Sequence, residues 1–170
     1  MRVRLGSSLL AAGALLAGAP DVGAVLSERS RVSTSGLGPL KIGMTLAQAE
    51  RATGRRISPR EGNGDCAYGV LHPVRLGVQM LTTRGRIAVV YVSRRGIATR
   101  SGARVRDTPR RLRAIYGPEL VPVRQFYNPP ERGYEIRDGN RKVRFGVSEG
   151  RVTSISAGRK PEVDHLEACS

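Results

Sequence analysis

The chain has 170 residues, a formal charge of +15 at pH 7, an aromatic content of only 4% and no tryptophan. An interior without large aromatic anchors must be assembled mainly from Val, Ile, Leu and Ala, which limits the apolar area a small lobe can bury. The length suits one compact domain or two small lobes sharing an interface.

The N-terminus reads as a signal peptide. Arg2 and Arg4 form a basic start, and Leu5 to Ala19 is rich in Leu, Ala and Gly. This apolar run of about 15 residues is short of the roughly 20 a bilayer span needs. Ala17-Gly18-Ala19 and Val22-Gly23-Ala24 are small-residue cleavage sites, of which the second is favoured. Residues 1–24 are thus expected to be removed. The mature protein is then expected to be secreted or extracytoplasmic, with no transmembrane segment after processing. Residues 25–35 are polar and aperiodic and are expected to form a flexible lead-in.

Order is expected from Gly36 onward, as a first lobe over 36–96. Ile42-Gly43-Met44-Thr45-Leu46 approaches a short helix. Thr45 is its N-cap, Gln48 completes a capping box, and Gly54 supplies a left-handed stop. Strands follow at Cys66 to Leu71, Leu76 to Leu81 and Arg86 to Val92. A second lobe over 97–170 repeats the pattern. Val105-Arg106-Asp107-Thr108-Pro109 starts a helix with Thr108 as N-cap and Pro109 at the first helical position. Leu112, Ile115 and Tyr116 share one face of that helix. Strands are predicted at Val121 to Tyr127, Gly133 to Arg137, Lys142 to Val147 and Arg151 to Ala157. Asp138-Gly139-Asn140 and Ser148-Glu149-Gly150 provide the hairpin turns. The expected fold is therefore α+β: two tandem repeats, each a short helix packed on an antiparallel β-meander.

The chain has two cysteines, Cys66 and Cys169. An even pair in an exported protein points to a disulfide, with free thiols as the alternative. His72 and His165 lack ligand spacing with either cysteine, so no metal or other cofactor is expected.

Gly38-Pro39-Leu40-Lys41-Ile42-Gly43-Met44-Thr45-Leu46-Ala47-Gln48-Ala49, followed by Ala52-Thr53-Gly54, resembles the motif of exported actinobacterial proteins of unknown function. Those proteins look like relatives of the β-lactamase inhibitor protein and of BamE-type outer-membrane lipoproteins. Ile97-Ala98-Thr99, Gly102, Val105-Arg106-Asp107-Thr108 and Tyr116-Gly117 match the second repeat of that pattern, and the resemblance covers about residues 36 to 169. It implies a tandem helix-plus-sheet module whose sheet face or loops contact another protein. Arg106 departs from the glycine of the first copy. No residue carries over as an inhibitor contact.

Chemistry-bearing patterns are sparse. There is no Gly-x-Ser-x-Gly elbow, and Glu61-Gly62-Asn63-Gly64-Asp65 lacks the Lys-Ser/Thr of a phosphate loop. The 14 carboxylates show no pair spaced for acid–base work, and no enzyme is expected. Arg124, Phe126, Arg137 and Arg144 are predicted on the wet face of the second lobe, with Tyr127 and Tyr134 flanking the Asn128–Arg132 loop. Arginine and aromatic side chains together favour a binding surface. The expected function is non-catalytic protein binding outside the cytoplasm. The alternative is electrostatic binding of an anionic envelope polymer or lipid. No nucleic-acid motif stands out, and a monomer is expected.

Overall fold

The computed structural model describes residues 25–60, 62, 64–124 and 132–164. The expected signal peptide, Phe126, Tyr127, His165 and Cys169 lie outside the described residues.

The chain opens with three short strands: β1 (Arg31–Ser33), β2 (Gly36–Leu37) and β3 (Leu40–Lys41). They pair in antiparallel sequence, and β8 (Ala98–Thr99) joins β1 in parallel to complete a four-stranded sheet ordered β3-β2-β1-β8. Residues 25–35 therefore do not form a free lead-in. Leu26 and Val32 are core residues, and the Leu26 backbone is held at both ends. Its N–H donates to the Thr53 carbonyl at 3.0 Å, and its carbonyl accepts from Arg55 Nε at 3.0 Å. Polar side chains conceal the two apolar positions that tie this stretch down.

Two helices of eight residues follow, α1 (Leu46–Thr53) and α2 (Pro109–Tyr116). Thr45 and Gln48 form the reciprocal capping box, while Thr108 accepts from the Arg111 N–H and Pro109 occupies the first turn. Each helix start is clipped to a strand. The Gly43 N–H donates to the Ile87 carbonyl at 2.7 Å, and the Ile87 N–H returns to Met44 at 2.7 Å. Arg106 and Asp107 make the same exchange with Val152, both bonds at 2.8 Å.

The remaining strands are β4 (Ile57–Arg60), β5 (Cys66–Leu71), β6 (Val78–Thr83), β7 (Arg86–Val92), β9 (Val121–Arg124), β10 (Arg132–Asp138), β11 (Arg141–Ser148) and β12 (Arg151–Arg159). They form one eight-stranded antiparallel sheet ordered β4-β5-β6-β7-β12-β11-β10-β9. This overturns the expected α+β pair of helix-on-meander repeats. The protein is mostly β, and its two-turn helices are minor elements of a continuous sheet. The reason lies in β7, where Ile87 to Val90 and Val92 are all buried. A strand buried on both faces is an interior strand and must be paired along both edges. β6 fills one edge and β12 the other, with Val92 opposite Ile155 and Val89 opposite Gly158.

One face of this sheet carries the main core. Met80, Ile87, Val90, Phe145 and Ile155 pack with Leu26, Leu37, Leu40, Ala49 and Leu112 from the small sheet and helices. The Tyr116 and Phe145 rings lie 5.6 Å apart. The opposite face, here the outer face, bears a second cluster of Cys66, Leu81, Ala88, Val89 and Val163, with half-buried Tyr68 and Tyr91 against it. Val163 comes from a 3₁₀ turn, Glu162–Asp164, which folds back after β12.

Candidate functional site

The residues expected to form one binding surface are separated by the sheet. Side chains directly opposite one another across a strand pair share a face. Glu135 pairs with Arg144, and Arg137 with Lys142, so all four lie on the outer face. Tyr134 pairs with Phe145 and is buried in the main core, where Arg113 Nη2 donates to its hydroxyl at 3.0 Å and the guanidinium lies 5.5 Å from its ring centroid. Arg124 pairs with Arg132, two residues before Tyr134, and so belongs to the Tyr134 side of the sheet. The expected surface thus keeps Arg137 and Arg144 together and loses Tyr134 and Arg124 to the opposite side. Phe126 and Tyr127 lie outside the described residues.

What unites Arg137 and Arg144 is Glu135, a residue that no motif in the sequence marks out. Its carboxylate accepts from Arg137 Nε at 2.6 Å and from Lys142 Nζ at 3.1 Å, with Arg144 Nε at 3.8 Å. Asp164 extends the network, accepting from Lys142 Nζ at 2.7 Å and standing 3.5 Å from Arg144. Arg144 also donates to the carbonyls of Val163 and Asp164 at 3.1 and 3.0 Å. Burial alone would raise the Glu135 pKa. Hydrogen bonds from Arg137 and Lys142, together with their charges, outweigh it and hold the carboxyl below its ordinary value. Five charged side chains therefore fasten the C-terminal 3₁₀ turn to the outer face. Arg137 and Arg144 were expected as free polar surface and the other three were left unremarked, because strand alternation shows which side a residue faces but not what crosses over it.

Beside this fastening, Tyr68 and Tyr91 lie on the same face as Ser156, which pairs with both Tyr91 and Arg144. Gln79, opposite Tyr91, is exposed, and Val70, Ser154 and Ser156 are half-buried. Burial, reinforced by the neighbouring Tyr68 and opposed by Arg144, pushes the Tyr91 phenol up to about 12. The two edges of the sheet are guarded differently: β4 carries Pro59 and Arg60, and β9 carries Pro122 and Arg124. Proline and arginine on edge strands discourage the addition of another strand.

One further juxtaposition was not legible in the sequence. Ser58 Oγ and His72 Nε2 are 2.9 Å apart across the β4–β5 edge. A serine nucleophile would also need an orienting acid and an oxyanion pocket. Among the described residues no carboxylate hydrogen-bonds His72, and the pair reads as a cross-strand contact. Among the described residues there is also no group of three or more His, Cys, Asp and Glu side chains arranged to hold a metal ion.

No protein-family profile matches the chain, and no curated protein matches it. Among solved structures it is similar to the crystal structure of the uncharacterized protein YfeY from Escherichia coli, with 15% sequence identity and a TM-score of 0.50. The match covers 76% of this chain and 99% of that one. At such identity the likeness shows the fold alone.

Proposed function

We propose that the mature protein is a non-catalytic module of the extracytoplasmic space that binds another protein through the outer face of its eight-stranded sheet. One observation carries the reading. The main-core face is covered by the helices and the small sheet, whereas the outer face presents Tyr68, Tyr91, Val70, Gln79, Ser154 and Ser156 beside the arginines of the Glu135 network. Tyrosines on a rigid sheet offer large contact area with little rotamer freedom to lose, serines add adaptable hydrogen bonding, and Arg137 and Arg144 are already held by Glu135. The guarded edges favour recognition by this face over strand addition. The excess of arginine suits a partner with an acidic surface. Export rests on the leader-like sequence of residues 1–24 and on the resemblance to exported proteins.

A second reading, an electrostatic binder of anionic envelope polymer or lipid, draws on the exposed arginines of α2, Arg110, Arg111 and Arg113. Co-sedimentation of the oxidised mature chain with envelope fractions separates the two. Salt from about 50 to 500 mM shortens the Debye length from about 14 to about 4 Å. Binding that persists through this range and is weakened by Tyr91→Ala supports the protein partner. Binding that disappears by moderate salt, and is unchanged by Tyr91→Ala, sinks that reading in favour of the polymer or lipid.

A further inference from the structure

Arg106 adopts φ +79°, a left-handed backbone conformation that its Cβ disfavours. It sits at the third position of a turn closed by the Asp107 N–H donating to the Arg104 carbonyl at 3.2 Å. The turn before α1 is closed in the same way, from Met44 to Lys41 at 3.3 Å, and there the corresponding residue is Gly43 at φ +94°. A turn with positive φ at this position strongly favours glycine. The backbone bonds of the two turns are alike, so the fold itself gives no reason for an arginine at position 106.

The surroundings supply one. Arg106 lines a cleft of about 420 Å³ together with Ser93, Ser148, Glu149, Arg151 and Thr153, above a floor of Val105 and Val152. Neither Arg106 nor Arg151 lies within ion-pair distance of a described carboxylate. Among the described residues, the Arg151 side chain makes its polar contact with the Arg106 carbonyl, which accepts from Nη1 at 3.4 Å. Two guanidiniums with fork-shaped donor sets suit a tetrahedral oxyanion. The Ser93 and Thr153 hydroxyls already donate to the Gly77 and Gly146 carbonyls at 3.2 and 3.3 Å, so the arginines are the cleft's oxyanion donors. Glu149 would repel a bare dianion but would accept from a donor elsewhere on the same ligand.

We infer that this cleft binds a phosphate ester that also carries an ammonium or hydroxyl group. The phosphate lies against Arg106 and Arg151, and the donor lies against Glu149. This goes beyond the proposed protein-binding face and does not depend on it.

Titration calorimetry of the mature chain with O-phosphoethanolamine tests the inference, with inorganic phosphate as the reference. Wild-type protein is expected to bind the ester more tightly than phosphate, and Glu149→Gln to erase that preference. Arg106→Gly and Arg151→Gln are each expected to weaken binding about tenfold or more, the loss of one charge-assisted contact. Arg106→Gly should do so without lowering the thermal midpoint, because glycine suits the turn. Arg51→Gln removes the same charge from an exposed arginine of α1, outside the cleft, and should leave binding unchanged. Equal binding by wild type and both cleft variants, or an equal loss in Arg51→Gln, overturns the proposal. A lowered midpoint in Arg106→Gly also overturns it, because the arginine would then be structural. Vesicles with and without phosphatidylethanolamine identify the source: selective binding to the former assigns a lipid headgroup, and binding only to the soluble ester assigns a free metabolite or polymer unit.

Discussion

Glu135 Oε2 accepts a 3.1 Å hydrogen bond from Lys142 Nζ while the two side chains are only 2% and 5% exposed. A desolvated pair of this kind is tolerated because each charge has further partners, Arg137 for the carboxylate and Asp164 for the ammonium. Removing one member leaves the other buried and under-compensated. Lys142→Met or Glu135→Leu alone is expected to cost about 3 kcal/mol in denaturant unfolding. The double substitution should recover most of that loss, and strictly additive losses would show that the pair is not coupled.

The same carboxylate makes stability depend on acid. Its folded-state pKa is depressed below the ordinary 4.5, so its contribution is fully present above that value and fades as pH falls through the folded-state pKa. Unfolding free energy measured from pH 6 down into the acid range should therefore fall more steeply for the wild type than for Glu135→Gln. Parallel curves would remove Glu135 from the acid response.

Tyr91 predicts the opposite limb. Its phenol is raised from 10.0 to about 12, so the unfolded chain gives up this proton first and stability falls as pH rises past 10. The loss should level off near 12 and amount to about 2 kcal/mol, allowing for partial access to solvent. Burial also raises the Tyr116 phenol, so ultraviolet titration should show a late-ionising tyrosine fraction that shrinks by one residue in Tyr91→Phe. A Tyr91 that ionises with the exposed tyrosines would contradict this burial.

The sequence made local features legible and concealed long-range ones. Thr45 with Gln48 and Thr108 with Pro109 mark helix starts because capping is settled within four residues, and both appear in place. Arg86–Val92 is readable because its apolar run lies between glycine-containing turns. β6 begins at Val78 rather than Leu76, because Val74–Leu76 closes into a 3₁₀ turn stopped by Gly77 at φ +65°. The joining of β7 to β12 is a tertiary choice that no local pattern encodes, and it turned two expected meanders into one sheet. The Glu135 network was hidden for the same reason. Its members come from β10, β11 and the C-terminal turn, and alternation alone placed Arg137 and Arg144 on a face without revealing that Asp164 returns to it.

A disulfide between Cys66 and Cys169 remains our proposal for how the chain end is secured. Cys66 is buried at the head of β5 in the outer-face cluster, the face on which the Glu162–Asp164 turn packs. Closing a loop of about 100 residues would stabilise the fold by roughly 4 to 5 kcal/mol in the chain-entropy account. Alkylation of denatured protein should modify neither cysteine without reductant and both after reduction, read by mass spectrometry. Two modified thiols without reductant would remove the bridge.

Gly158 decides whether the C-terminal turn can lie on the sheet at all. A Cβ at this position would stand 2.7 Å from the Ala88 carbonyl oxygen, 3.1 Å from Val89 Cγ2 and 3.2 Å from Val163 Cβ. The first neighbour is backbone of the adjacent strand and cannot rotate away, and the last is the side chain that seats the turn. Gly158→Ala should therefore cost about 1 to 3 kcal/mol, as overpacking in a filled core does. If the strain is relieved by lifting the turn, amide hydrogen exchange will rise at Val163 and Asp164 while β6 and β7 stay protected. If β7 yields instead, protection will fall at Ala88 and Val89. Unchanged stability with unchanged exchange would mean that the turn does not pack on Gly158.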